Sequence, residues 1–217
     1  MISYNFQKKL KNILQPKMDD YFNTNDAKKL LASKESGHIM GTIVEELCGD
    51  ILNECGMKIT QELDSKGNPL PRAHSDFLLE SKDGKKNKIN VKFGSAKQGQ
   101  PNICSINRMM NALKDGFIDG YYILKVKYDK NEKNTKVYFV DVLDYTDCIT
   151  YDGGTGQLML QEKKFYGVYG TSGRESKLTL KEKKIWIYQL YQKKMKEHLE
   201  RRQKQLKKRE QEFLSFS

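Results

Sequence analysis

The chain has 217 residues, of which 37% are hydrophobic and 31% are charged, and it carries a net charge of +11. This length suits one domain of ordinary size, and the basic excess suits a polyanionic partner. No stretch has the apolar length that a membrane-spanning helix needs, and residues 1–5 lack the apolar core of a signal peptide. We therefore expect a cytoplasmic protein without a membrane partner.

The positive charge is concentrated towards the C-terminus. Residues 177–212 contain 13 Lys and Arg and 5 Glu, a net charge of +8, which leaves +3 for the rest of the chain. Such a run is either a solvated helix face or a surface that lies along nucleic-acid phosphates. Both interpretations stay open at the level of sequence.

The four cysteines are spaced too widely for a zinc site. Cys48 and Cys55 fall within one predicted helix, and Cys104 and Cys148 are far from both. None has the C-x₂-C spacing that zinc sites use. We expect reduced cysteines that pack as small apolar groups.

The first part of the chain is predicted to be helical, because apolar residues recur every three or four positions. Residues 4–22 carry one such stripe, which Pro16 interrupts, and a polar linker follows. A stronger helix is predicted at about 38–56. Ser36 is its expected N-cap and Gly56 the residue that ends it.

Two short strands are predicted next, at 75–80 and 88–93, with Asp83-Gly84 between them as a hairpin signal. Side chains alternate along a strand, so Asn90 and Lys92 share one face of the second strand. The hairpin turn then decides which of its residues faces the first strand.

A strict two-residue turn would place Asp76 opposite Val91, on the other face from Lys92. A three-residue turn, or one bulge, would instead place Asp76 opposite Lys92. We predict this second register. An acid that faces an oxygen ligand, here Asn90, and a lysine can hold Mg²⁺ against a phosphate.

These residues make the chain a candidate metal-dependent nuclease, and the alternative is a structural salt bridge at a strand edge. No rival catalytic set is evident, because the three histidines are scattered and neither a P-loop nor a nucleophile elbow occurs.

The second half of the chain is predicted to add a helix at about 103–115 and strands at about 120–128 and 135–143. Both strands are rich in apolar residues, which is typical of central strands. Two more short strands are expected within 156–168, and a long helix over 179–212. This order predicts an α/β fold in which a mixed sheet is flanked by helices.

The order of helix, acid-bearing hairpin, helix and strand resembles the core of the PD-(D/E)XK nucleases. Three motifs, spanning about residues 36–106, resemble the HincII-like type II restriction endonucleases, which are related to the EcoRV-like enzymes. The run Ser-Gly-His-x-x-Gly-x-x-x-Glu-x-Leu at 36–47 is similar to their opening helix. Ser-Asp-Phe-Leu-Leu at 75–79 with Asn-Val-Lys at 90–92 is similar to their hairpin, and Pro-Asn-Ile at 101–103 to the start of their next helix.

This resemblance implies a homodimer that cleaves a short palindromic DNA duplex to blunt ends with Mg²⁺, and that has no small-molecule substrate. Asp76 would be the shared metal ligand, and the backbone carbonyl of Val91 would also bind the metal. Lys92 would contact the scissile phosphate and help to position or deprotonate the attacking water. Glu45 would be the upstream acid, although helical spacing alone does not separate it from Glu46.

Asn90 departs from the Asp or Glu of the family motif. Since an amide oxygen is neutral, the site would hold less negative charge and would bind Mg²⁺ more weakly. We still expect Asn90 to be a metal ligand together with Asp76.

The resemblance also implies two loops that read DNA. The alternative is that both loops are only flexible surface. The loop at 94–101 would approach the minor groove. Its candidate contacts, with the residue that follows it, are Lys97, Gln98, Gln100 and Asn102. The loop at 167–177 would enter the major groove. Its candidate contacts are Tyr169, Thr171, Ser172, Arg174 and Lys177.

On this basis, residues 1–178 form the nuclease domain, and residues 179–217 form a basic helix that packs on it or extends from it. The leading prediction is a site-specific endonuclease. The alternatives are a repair or junction-resolving nuclease with the same core, and a basic DNA-binding protein that cleaves nothing.

Overall fold

The structure is a computed structural model that describes most of the chain. The residues outside the described part are 1, 34–35, 62, 64–65, 69–75, 81–85, 96–99, 115–119, 130, 153–154, 171–172, 174–177 and 216–217. Residues 36–38 and 95 are described by their backbone alone.

Helices and strands follow one another in a mixed α/β order. The α-helices of the described part are α1 (Tyr4–Phe22), α2 (Asn25–Ala32), α3 (Ser36–Glu54), α4 (Ile106–Lys114), α5 (Glu162–Tyr169) and α6 (Leu180–Leu214). Its strands are β1 (Ile59–Thr60), β2 (Phe77–Glu80), β3 (Lys86–Ser95), β4 (Asn102–Ser105), β5 (Tyr121–Asp129), β6 (Asn134–Asp141), β7 (Ile149–Asp152) and β8 (Gln157–Leu160).

Five of the strands form a mixed sheet in the order β1-β2-β3-β5-β6. Within it β3 and β5 run parallel, and the other described pairs are antiparallel. The connection from β3 to β5 passes through α4, as a crossover between parallel strands requires. The remaining strands form a smaller antiparallel sheet in the order β4-β8-β7. The predicted mixed sheet with flanking helices is therefore confirmed.

The large sheet is covered on both faces, because alternate side chains of β5 enter two different hydrophobic clusters. Tyr122, Leu124 and Val126 pack in one cluster with residues of α1, α2 and α3. Tyr121 and Ile123 pack in the other with residues of α4, α6 and the smaller sheet. β5 therefore lies in a middle layer, with every residue but its last buried.

The N-terminal helices differ from the prediction in two respects. Pro16 lies inside α1 without ending it. The buried residues Leu10, Leu14 and Met18 continue through this point, and their burial outweighs the lost backbone hydrogen bond. The predicted polar linker contains the short helix α2, which is capped by the side chain of Thr24.

The boundaries of α3 are close to the prediction. The helix already includes Ser36, so the predicted N-cap lies too late by at least one residue. Its end is as predicted, because Gly56 has a φ of +78°, which a residue without Cβ adopts at low cost. The N–H of Met57 then donates to the carbonyl of Leu52 and closes the helix end.

Two predictions in the second half were wrong because pairing between distant residues decides the local structure. Asn102 opens strand β4 and not a helix, since it pairs with Met159 of β8. The range 156–168 contains one strand and the helix α5, not two strands. The aromatic residues of α5 favour a strand by propensity. The segment is nevertheless helical, and the helix places the side chain of Phe165 in the core, where it is fully buried.

The interpretation of 135–143 as a central strand was also wrong, because β6 lies at the edge of the large sheet. Its apolar character has another cause. Val137 and Phe139 pack in the first hydrophobic cluster, and Tyr138 and Val140 pack in the second. An edge strand with both faces covered carries the residue pattern of a central strand.

The long C-terminal helix is confirmed as α6, which begins with a reciprocal capping box between Thr179 and Glu182. Its first part packs on the body through Ile187, Trp186 and Leu190. Every residue from Leu199 to Ser215 is exposed. None of the helices in the described part has the length and apolarity to cross a bilayer.

Candidate active site

The β2–β3 hairpin aligns Asp76 with Asn90. Phe77 pairs with Ile89, and the N–H of Asp76 donates to the carbonyl of Ile89 at 3.0 Å. Continuing this register by one residue places Asp76 opposite Asn90. The prediction that Asp76 lies opposite Lys92 was therefore wrong by two residues. Since side chains alternate along a strand, a register shift of two residues still leaves Asp76 on the face of the sheet that carries Asn90 and Lys92.

Asp76 lies immediately before β2 and reaches across to β3. Its carboxylate accepts the backbone N–H of Val91. Burial raises the pKa of Asp76, although the ammonium of Lys92 and the Val91 N–H each lower it in part. The ionised carboxylate is therefore less compensated than it would be in water, and a further cation beside it would be favourable.

Asn90 is held in one orientation by three neighbours. Its amide nitrogen donates to the carbonyl of Ile103 at 3.0 Å and to the hydroxyl of Tyr121 at 3.0 Å. Tyr121 donates its own proton to the same Ile103 carbonyl at 3.0 Å. The amide oxygen accepts from the ammonium of Lys92. Rotating the amide by 180° would place its oxygen against the Ile103 carbonyl oxygen and its nitrogen against the Lys92 ammonium. Neither pair could form a hydrogen bond, so the present orientation is the favourable one.

These hydrogen bonds give a physical reason for an amide at position 90, where the motif that the sequence resembles has a carboxylate. Asn90 is 7% exposed and faces the Ile103 carbonyl, which can only accept a hydrogen bond. A carboxylate there would bring two acceptors together with no proton between them. The amide satisfies the carbonyl with its nitrogen and keeps an oxygen for the site.

Lys92 lies two residues after Asn90, on the same face of β3, and is partly buried. Its bond to Asn90 directs the ammonium back along the strand, and its charge acts on both Asp76 and Glu45. The lysine is therefore oriented within a group of oxygen atoms.

The structure distinguishes Glu45 from Glu46 on α3. Glu46 is exposed, whereas Glu45 is partly buried and lies within the electrostatic reach of Asp76 and Lys92. Burial is the main cause that raises the pKa of Glu45, and the negative charge of Asp76 adds to it. Glu45 is thus the acid of α3 that belongs to this group.

We use the term site cluster for Asp76, Asn90, Lys92 and Glu45 together. Its potential metal ligands are all oxygen atoms: two carboxylates, an amide oxygen and the backbone carbonyl of Val91. Among the described residues, no group of three or more His, Cys, Asp and Glu side chains is arranged to hold a metal ion. An all-oxygen donor set is the kind that a hard cation such as Mg²⁺ prefers.

The cysteines are not part of the site chemistry. All four are free, and Cys48, which neighbours the site cluster on α3, is fully buried. Burial, Glu45 and Asp76 all raise the pKa of its thiol. Cys48 is therefore a protonated packing residue, as the sequence predicted.

Sequence reasoning missed the residues that hold Asn90, namely Ile103 and Tyr121. Ile103 acts through its backbone, which leaves no signal in its side chain. Tyr121 carries a weak signal, because a hydroxyl in a buried strand requires a partner.

Three of the nine candidate DNA contacts lie among the described residues. Gln100 and Asn102 are exposed just before and at the start of β4. Tyr169 ends α5, where its hydroxyl donates to the carboxylate of Asp147 at 3.1 Å. The other candidates lie outside the described residues: Lys97, Gln98, Thr171, Ser172, Arg174 and Lys177.

No protein-family model matches the chain, and a search of curated proteins found no match to it either.

Proposed function

We propose that the protein is a Mg²⁺-dependent type II restriction endonuclease. It would act as a homodimer that hydrolyses double-stranded DNA at a short palindromic sequence and leaves blunt ends. The observation that carries this proposal is the site cluster, in which Lys92 is oriented by Asn90 beside the carboxyl groups of Asp76 and Glu45. The motif resemblance and the net charge of +11 support it independently.

The cluster fits a divalent cation because its negative charge is incompletely compensated. Burial raises the pKa values of both Asp76 and Glu45, so ionised carboxylates there favour a nearby cation. Asp76, Asn90 and the carbonyl of Val91 would hold Mg²⁺. When bound, the ion would supply Lewis-acid polarisation of the phosphoryl group.

The protein residues would divide the remaining work of phosphodiester hydrolysis. The ammonium of Lys92 would donate to a non-bridging oxygen of the scissile phosphate and stabilise the charge that develops there. Asn90 would hold that ammonium in place. Glu45 would orient the attacking water and accept its proton, which a carboxyl with a raised pKa does more readily.

The exposed half of α6 would add affinity for DNA. Residues 199–215 carry six Lys and Arg against three Glu, and all of them are exposed. They are suited to contacts with phosphates, which contribute affinity in every sequence context and weaken as salt is added. A homodimer would present two site clusters related by the same two-fold symmetry as a palindromic duplex.

The test is digestion of bacteriophage DNA with Mg²⁺ by the wild type, by Lys92→Ala and by a control, Lys86→Ala. Lys86 is an exposed lysine of the same strand. We expect discrete fragments from the wild type and the control. Lys92→Ala should cut at least about 100-fold more slowly, because it removes a donor to the reacting phosphate.

The outcomes separate this proposal from its alternatives. Cutting of branched junctions without discrete fragments from linear DNA would indicate a junction-resolving nuclease. Tight binding of DNA without any cutting would indicate a binding protein in which the site cluster is structural.

A further inference from the structure

A second lysine, Lys125, lies directly beside Lys92 in the large sheet. The parallel register of β3 and β5 pairs the two residues. Paired residues of adjacent strands lie about 5 Å apart and project from the same face. Lys125 therefore belongs to the face that carries Asn90 and Lys92.

Lys125 has few partners for a buried lysine. It is 9% exposed, and its ammonium has one hydrogen bond in the described structure, to the carbonyl of Phe93 at 3.5 Å. It forms no ion pair with any described residue. An ammonium has three protons to donate, so most of its hydrogen-bonding capacity is unused.

The two other buried lysines of the described part are fully paired. Lys127 lies 3.2 Å from the carboxylate of Glu162 and over the ring of Tyr166 at 5.1 Å. Lys183 bonds two carboxylates. Lys125 also keeps more exposure than these two, which are 3% and 0% exposed. The contrast distinguishes Lys125 from lysines that are buried for structural reasons.

The backbone of β3 leaves space for this ammonium. A Cβ at Gly94 would lie 2.9 Å from the Lys125 ammonium nitrogen and 3.5 Å from its Cε. Gly94 follows Lys92 by two residues and faces the same way. A side chain at position 94 would therefore displace the Lys125 ammonium from its present place, and glycine leaves that place open.

We propose that Lys125 is a second phosphate-contacting residue, whose ammonium binds the DNA backbone next to the phosphate held by Lys92. The inference rests on the proposed function and deepens it. A phosphate group would offer several anionic oxygens to the Lys125 ammonium, which now donates one long hydrogen bond to the Phe93 carbonyl. Burial and the neighbouring lysines Lys127 and Lys92 lower the pKa of Lys125, and the charge of Glu162 offsets this in part. An anion at this position would relieve that penalty.

The experiment compares Lys125→Met with Lys136→Met, a control that removes an exposed lysine from β6. Affinity for a DNA duplex is measured in Ca²⁺ over a series of salt concentrations, and the thermal midpoint of the free protein is measured in parallel. We expect Lys125→Met to bind about 10-fold more weakly, with a log–log salt slope smaller by about 0.9.

The free Lys125→Met protein should be at least as stable as the wild type, because a poorly paired buried charge is removed. The control should retain wild-type affinity and slope. A lower thermal midpoint for Lys125→Met with unchanged DNA binding would overturn the proposal and make Lys125 a structural residue.

Cutting of phage DNA by the wild type separates the two proposals. Wild-type cutting with wild-type binding by Lys125→Met would reject the role of Lys125 and leave the proposed function intact. A wild type that neither cuts nor binds DNA would reject both.

Discussion

Two groups of charged side chains in the described part of the chain differ in how completely their charges are paired. In the first, Lys183 of α6 lies 2.7 Å from a carboxylate oxygen of Asp141 and 2.6 Å from one of Asp144, and all three residues are almost wholly buried. Asp141 also accepts the N–H groups of Tyr121 and Leu143 at 3.0 and 3.1 Å. This group joins the C-terminal helix to the end of β6.

The second group is the site cluster, which is partly open to solvent. Its lysine is bound to the neutral oxygen of Asn90 and not to a carboxylate. Of the two carboxyls, Asp76 has one hydrogen bond, from the backbone of Val91, and burial raises the pKa values of both.

Burial of charge alone therefore does not identify a functional site. A structural group such as that of Lys183 places cation and anions in direct contact, with further N–H donors around them. A ligand-binding site instead places charged and polar groups close together while some of their hydrogen-bonding and charge-pairing capacity is not used by the protein itself. Three substitutions test this distinction.

The largest expected effect is on stability, in the closed group. Lys183→Met would leave Asp141 and Asp144 buried without their cation, which costs about 3–5 kcal/mol of unfolding free energy. The measurement is urea unfolding at pH 7, with Lys181→Met, an exposed residue of the same helix, as the control. A loss below about 1 kcal/mol would contradict the interpretation of this group as structural.

Asn90→Asp is expected to have the next largest effect. It introduces the residue type of the family motif, but it also brings a carboxylate against the Ile103 carbonyl, 3.0 Å from the present nitrogen. The unfolding free energy should fall by about 1–3 kcal/mol at pH 7, because a buried carboxylate would replace one of the two donors to the Ile103 carbonyl and would face that oxygen with no proton between them.

The loss in Asn90→Asp should shrink as the pH is lowered, since a protonated carboxyl can again donate to the carbonyl. Asn107→Asp, at an exposed position of α4, serves as the control and should be close to neutral. Unchanged stability of Asn90→Asp at pH 7 would show that the amide is not required by its surroundings.

The smallest expected effect is the pH dependence caused by Glu45. Its raised pKa means that ionisation in the folded protein is unfavourable, so stability is lost as pH rises from about 4.5 through that raised value. Without metal, Glu45→Gln should match the wild type at pH 4 and exceed it at pH 7. The gain should stay below about 1 kcal/mol because Glu45 is partly exposed. Glu46→Gln should show no such pH dependence, and equal behaviour of the two variants would reject the assignment.

The parts of the fold that could be predicted from sequence are those fixed by local pattern. The helix α3 has clear apolar periodicity and an end signal at Gly56, and the long helix α6 begins and ends within two residues of its predicted span of 179–212. The alternation of side chains along the predicted hairpin places Asp76, Asn90 and Lys92 on one face of the sheet. These signals reside within a few residues of one another.

The remaining features depend on contacts between distant parts of the chain. β4 is a strand because Asn102 meets Met159, and the pairing of Phe77 with Ile89 shifts Asp76 by two positions from the predicted partner. The orientation of Asn90 depends on Ile103 and Tyr121. These features have no local sequence signature, because each depends on residues that are distant from one another in the chain.

The most direct test of the central claim is whether the site cluster binds a divalent cation through Asp76. Thermal unfolding is measured with and without Mg²⁺ for the wild type, Asp76→Asn and the control Asp50→Asn, an exposed residue of α3. We predict that Mg²⁺ at ten times its dissociation constant stabilises the wild type and the control by about 1.4 kcal/mol. Asp76→Asn should not respond. Equal stabilisation of all three proteins, or none in any of them, would contradict the claim.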